Sequence, residues 1–330
     1  MRIKRPEYWW QLDNTISSSL GGLTGTFTFA GTNRTRVPDA TVDKTPVSVG
    51  ANVARFEKVG GYNALLVEPE GTNYFLNSDT PATQTTESLA EGTYTCWIDG
   101  TGSATVAANG ATITGAGAAV DGTPVTFVVT VAGTVDVTIA GGPTRCQVEN
   151  SVVPTSYIVT VATAVTRATE SGNPFWTLPT GLFDAEGTAI VWWRPGYGYD
   201  DLPADTNYGI LSCDDVGNSV VYNTSWGSES INSRDGVTSA EKATNWSTNT
   251  WYKLVVKWGY DVGGTEKFRV GVDTGAGVVW GTETSFDGSY TLGTYLRIGF
   301  DLFSRMHVRE LMLFRKALSD TMVNHYTGLI

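Results

Sequence analysis

Cysteine, histidine, methionine and positive charge are all scarce in this chain: 330 residues contain 3 Cys, 2 His, 4 Met and 22 Lys plus Arg, against 33 Asp plus Glu. Cys96, Cys146 and Cys213 make no pair-rich framework and no C-x-x-C spacing, which excludes a disulfide-stapled small fold and a thiolate metal site. Period-two placement puts Cys96 on the apolar face of Tyr94 and Ile98, and Cys146 on that of Val148. Both are expected inside one sandwich as small apolar residues. His307 and His325 form no H-E-x-x-H pair, and neither lies near a nucleophile elbow. A net charge of −11 and a pI near 4.7 leave no clustered cations for a phosphate backbone, which argues against nucleic acid. A neutral or cationic partner fits better, sugar polymers among them. No apolar run reaches the length of a membrane span, and none follows the basic Arg2, Lys4 and Arg5 as a signal peptide would require. The expectation is a soluble protein made in the cytoplasm.

Helical periodicity is nearly absent. One short segment, 320–326, reads as a helix, with Ser319 placed to accept a free backbone N–H at its start. What abounds is glycine, 38 residues, and aromatic side chains, 12 Phe, 11 Trp and 14 Tyr. A chain this long and this apolar is expected to pack as two or three units. Alternation is clearest in the middle. Val125, Phe127, Val129 and Val131 share one face, and Val135, Val137 and Ile139 point inward while Thr134, Asp136 and Thr138 point out, the pattern of half-buried antiparallel strands. Turn dipeptides Asp99-Gly100, Asn109-Gly110, Asp121-Gly122 and Gly141-Gly142 punctuate this stretch. Short strands at such spacing predict a β-sandwich of roughly 90 residues. Further strands are expected at 189–193, 208–212, 219–223, 251–258, 268–272, 295–299 and 308–314.

Two sets of motifs carry resemblances. The order Ala54-Arg55-Phe56, then ALLVEPEGTNYFLNS over 64–78, resembles a region near the front of tailed-bacteriophage virion proteins of the fibre-like and minor structural types. Gly71 stands where many relatives carry a basic residue. The resemblance continues through Gly92-Thr93-Tyr94-Thr95, Gly133-Thr134-Val135-Asp136-Val137, Gln147-Val148-Glu149, Pro154-Thr155-Ser156-Tyr157-Ile158 and Val165-Thr166-Arg167-Ala168, about half the chain in all. It implies a carbohydrate-binding-module-like sandwich preceding a variable distal domain. In the second half, Gly187-Thr188-Ala189-Ile190-Val191-Trp192-Trp193, Trp251-Tyr252-Lys253-Leu254-Val255-Val256 and Leu313-Phe314-Arg315-Lys316-Ala317-Leu318-Ser319-Asp320 resemble a laminin-G or concanavalin-A-like jelly roll, which names a fold more than an activity. The expected organisation is all-β: an irregular N-terminal virion-attachment region, 1–78; a carbohydrate-binding-module-like sandwich, 79–170; and the jelly roll, 171–330. Within the first region Trp9 and Trp10 would anchor on another virion protein or cover this chain's own sandwich.

Catalysis is not expected. Glycosidases on the jelly roll place paired carboxylates in an E-x-D-x-x-E cluster flanking the scissile bond, whereas Glu186, Glu229, Glu241, Glu266, Glu283 and Glu310 are scattered. Sugar binding needs a flat aromatic face beside hydrogen-bonding Asp and Asn. The loop with Tyr197, Tyr199, Asp200 and Asp201, followed by Asn207, offers both, and so does the set Asn223, Trp226 and Asn232 with Trp246. Trp192, Trp251, Trp258 and Trp280 are expected in the core or on the sheets. Asp200, Asp201, Asp214 and Asp215 are candidate oxygen ligands for a structural Ca²⁺; no other cofactor is expected. The reading is a phage head or tail fibre or spike that binds glycans, assembled in the host cytoplasm as a symmetric oligomer, a trimer by expectation. Its rivals are a purely structural decoration or tail-tip role and a polysaccharide-degrading enzyme.

Overall fold

The computed structural model describes the backbone over residues 8–11, 26–28, 34–36, 47–49, 55–169, 175–177, 185–201, 207–213, 219–224, 229–287, 295–300 and 305–328. These residues form antiparallel sheets and, among them, one α-helix. The all-β class and the two sandwiches expected from alternation are what the structure shows.

The middle sandwich is an eight-stranded sheet curled on itself, dominated by an antiparallel pair of very long strands, Gly92–Asn109 and Thr134–Glu149. Its core holds Phe75, Tyr94, Cys96, Val106, Phe127, Val129, Val135, Val137, Cys146 and Val148. Cys96 and Cys146 are free thiols within it, and burial raises the Cys146 thiol well above its usual value. Cys213 ends a strand, and its side chain lies outside the described residues. Val131, expected inward, is 53% exposed at the strand's end.

Two expected turns prove to be corners. Asp99-Gly100 and Gly141-Gly142 lie inside the long strands, where Asp99 and Gly100 face Arg145 and Pro143, and Gly141 and Gly142 face Gly102 and Thr101, with a bulge between Pro143 and Arg145. At this fold-over the two backbones nearly touch: a Cβ on Gly102 (φ +126°) would sit 2.2 Å from the Ala140 carbonyl oxygen. Glycine permits both that approach and that backbone angle. This one pair of strands can therefore run through both layers of the sandwich.

The C-terminal unit packs a nine-stranded sheet against a seven-stranded one. Its core includes Val191, Trp193, Leu254, Val256, Trp258, Phe268, Val270, Ile298, Val308 and Leu313. The helix Asp320–Gly328 covers the outer face of the larger sheet, burying Met322, Val323 and Tyr326 against Ile190, Val255, Met312 and Phe314. Its cap is the expected one, with Ser319 Oγ accepting from Met322 N at 3.3 Å.

The strands of residues 55–73 are divided between the two units. Strands Arg55–Val59 and Tyr62–Val67 belong to the nine-stranded sheet of the C-terminal unit, where Leu65, Leu66 and Val67 pair with Val308, His307 and Met306. Gly71–Asn73 belongs to the middle sheet. Residues 64–67 are buried throughout because their apolar run lies in a sheet covered on both faces. Tyr8–Gln11 also pairs with Met306–Phe314, so this stretch is stitched to the chain's own jelly roll, whereas the Trp9 and Trp10 side chains lie outside the described residues.

Candidate functional site: a cleft over a buried polar junction

Between residues 67 and 71 the chain crosses from one sandwich to the other, and the motif residues converge at this crossing. Glu68, fully buried, accepts from Arg55 Nη2 at 2.6 Å, from Ser156 N at 2.8 Å, and pairs with Arg167 at 3.3 Å. Burial alone would raise the Glu68 pKa, but Arg167 and Arg55 outweigh it and hold the carboxyl well below the usual range. Arg167 also donates to the Pro69 and Ser156 carbonyls. Beside it Glu57 meets His307 Nε2 at 3.0 Å. Burial pushes His307 down, so the ring is neutral at pH 7. Burial would push Glu57 up, yet its contact with His307 prevails and lowers it.

Residues 154–160 form no ladder of their own. Their backbone is satisfied by side chains instead. Asn73 Nδ2 donates to the Ile158 carbonyl, Gln147 Oε1 accepts from Ile158 N, and Glu149 Oε1 accepts from Thr155 N at 2.8 Å. Asn73 Oδ1 also takes the Phe75 and Val148 N–H groups. Burial raises the Glu149 carboxyl despite the bonds from Thr155. The order of weak motifs that carried the phage resemblance thus has a physical meaning here: Arg55, Glu68, Asn73, Gln147, Glu149, Thr155, Ser156 and Arg167 are one buried network joining two domains.

Above this junction lies a cleft of about 500 Å³ between the sandwiches. The middle unit contributes Trp97, Asp99, Asp121, Thr126 and Pro154; the C-terminal unit contributes Gly196, Asp201, Thr248, Asn249 and Arg305. The Trp97 indole is half-buried and fixed, since its Nε1 donates to Glu149 Oε1 at 3.0 Å and Tyr157 packs edge-on against it. Asp201 Oδ2 accepts from Gly198 N at 2.6 Å. Asn249 is exposed, adopts φ +61° and accepts at its carbonyl from Arg194 Nε. Gly196 leaves space for Arg305: a Cβ there would meet Arg305 Cγ at 2.3 Å.

The sequence-selected residues divide. Asp201 lines the cleft, and Tyr199 and Asp200 follow the same loop; a hydrogen bond to Asp200 raises the Tyr199 hydroxyl. Tyr197 and Trp246 are core residues, 1% and 0% exposed, packed with Trp193 at 6.4 and 6.2 Å. No sugar can stack on them as placed, because this loop folds inward to close one end of the jelly roll. Asn232 is buried and donates to Ser230 Oγ. Trp226, Asp214 and Asp215, and the side chains of Asn207 and Asn223, lie outside the described residues. Among the described residues no group of three or more His, Cys, Asp or Glu side chains could hold a metal ion, Asp200 and Asp201 included. Trp192 and Trp258 are buried as expected. Sequence reasoning missed Trp97, Asn249 and Arg305. Only Trp97 left a signal, as an outward Trp between the inward Cys96 and Ile98.

No family model matches the chain, and no curated protein does. Solved structures similar to it include the binding domain of botulinum neurotoxin DC in complex with rat synaptotagmin II, at 9% identity and TM-score 0.42 over 98% of this chain and 51% of that one. A botulinum neurotoxin type C structure, associated with interaction with two ganglioside molecules, gives 9% identity and TM-score 0.45 over the same shares. The binding domain of serotype D gives 13% identity and TM-score 0.34 over 46% of this chain and 39% of that one. The chain spans about half the length, or less, of the solved chains it matches. Similarity at this level carries no functional argument.

Proposed function

We propose that this chain is a carbohydrate-binding unit of a tailed-phage virion appendage and that the cleft between its sandwiches is where a glycan binds. The observation that carries the binding reading is the cleft's composition. A fixed indole lies beside Thr248, Asn249 and Asp201, in a volume within the roughly 300–1,000 Å³ typical of ligand sites. An indole offers its face to the C–H side of a sugar ring, while hydroxyls need such polar neighbours. The virion assignment rests on the motif order, now seen as a shared junction between two domains. Attachment through residues 1–78, a trimeric state and assembly in the host cytoplasm belong to the same proposal.

A second reading, glycoside cleavage, is favoured by one observation: Asp99, Asp121 and Asp201 line the same cleft. Hydrolysis needs one carboxyl held protonated and one ionised. Asp99 is paired with Arg145 at 3.0 Å. The test of both is a glycan array with the full chain, followed by a reducing-sugar assay on every glycan bound. Binding without sugar release supports the proposal; release of sugar overturns it in favour of the enzyme.

A further inference from the structure

The hydrogen-bonding capacity left over in the cleft is unequal in sign. Its carboxylates are engaged: Asp99 with Arg145, Asp201 with the Gly198 N–H, and Asp121 with a partner as well. The guanidinium that lines it, Arg305, has an Nε that is out of water and without an acceptor; the neighbouring Arg194, which donates from Nε to the Asn249 carbonyl, has its Nη1 in the same condition. Among the described residues, the junction holds Arg55, Arg167, Arg194 and Arg305 against Glu57, Glu68 and Glu149, with His307 neutral. Four guanidinium groups face three carboxyls, which leaves an excess of positive charge. Burial, and then the charge of Arg305, bring the Arg194 guanidinium down to about 10. Buried donors without acceptors are costly, and a planar guanidinium matches a carboxylate.

We infer that the cleft takes an acidic saccharide, one whose carboxylate lies against Arg305 while its hydroxyls meet Asp201 and Asn249. This rests on the glycan reading of the cleft. Gly196 is then a positioning residue, because only glycine lets the Arg305 stem cross it.

The test is calorimetric titration of the full chain with a galacturonic acid trisaccharide, the matched neutral galactose trisaccharide, and acetate. The acidic trisaccharide should bind about tenfold or more tightly than the neutral one at low salt, and the gap should narrow as salt rises. Arg305→Gln should bring the two affinities together with the melting temperature little changed. Gly196→Ala, which displaces Arg305 without removing it, should weaken the preference in the same direction and serves if Arg305→Gln unfolds. Equal affinities in the wild type, or a preference that survives both substitutions, would overturn the inference and leave glycan binding standing. Acetate binding as tightly as the acidic trisaccharide would make this a carboxylate site without sugar recognition, overturning the saccharide assignment. If a folded chain binds neither trisaccharide, the glycan reading fails and this inference with it.

Discussion

Glu68 shows how much of the molecule depends on single side chains. It is a fully buried carboxylate that two arginines keep ionised, at the point where the chain leaves one domain for the other. Removing one partner of such a group leaves the others charged and unpaired, so Glu68→Gln should destabilise the protein by roughly 3–5 kcal/mol in chemical unfolding. The signs of the pKa shifts set a pH dependence. His307 is depressed in the folded protein, so its contribution is present above about pH 6.5 and is lost as pH falls below that value. Glu68, also depressed, adds a loss that begins below the ordinary carboxylate range. Glu149, raised, acts oppositely: its contribution is complete below that range and fades as pH rises through its folded value. Unfolding midpoints measured from pH 7 to pH 5 should therefore fall, and His307→Gln should flatten that slope; an unchanged slope would contradict a buried neutral imidazole. Glu68, Glu149 and Arg167 were visible in the sequence as parts of motifs, and His307 was not. Their mutual contact was not, because Glu68 and Arg167 meet across 99 residues of chain.

Among the elements, alternation reported the strands and faces well, as Val135, Val137 and Phe127 show. Where it misled, a strand was longer than its local signals. Asp99-Gly100 and Gly141-Gly142 have the chemistry of turns, yet the ladder runs through them, and the positive φ of Gly100 and Gly141 bends the ribbon instead of ending it. Glycine chemistry alone does not distinguish a turn from a corner, since both need the same backbone angle. Gly102→Ala should cost about 1–3 kcal/mol, seen as a lowered thermal midpoint, because the new methyl group has backbone opposite it. At the other end of the chain, Ser319→Ala removes the helix cap and should cost about 1 kcal/mol. That helix was legible because its cap is a local feature.

At the scale of the whole molecule, function was the least legible part. The aromatic loop around Tyr197 has the composition of a lectin site, but composition does not say which way a ring points, and Tyr197 and Trp246 fill the core. The cleft is assembled from residues as distant as Trp97 and Arg305, and no window of sequence contains both. It exists because the chain passes between the sandwiches more than once, through 67–71 and again after Glu149, and the buried network fixes the angle between them. Whether this cleft holds carbohydrate is decided by calorimetric titration of the tightest array glycan into the full chain and into Thr248→Trp, which fills the cleft from an exposed position without touching the core. Saturable binding by the wild type is expected, weakened about tenfold or more in Thr248→Trp at an unchanged melting temperature. The same affinity in both proteins, or no binding by a folded wild-type chain, would contradict carbohydrate binding there.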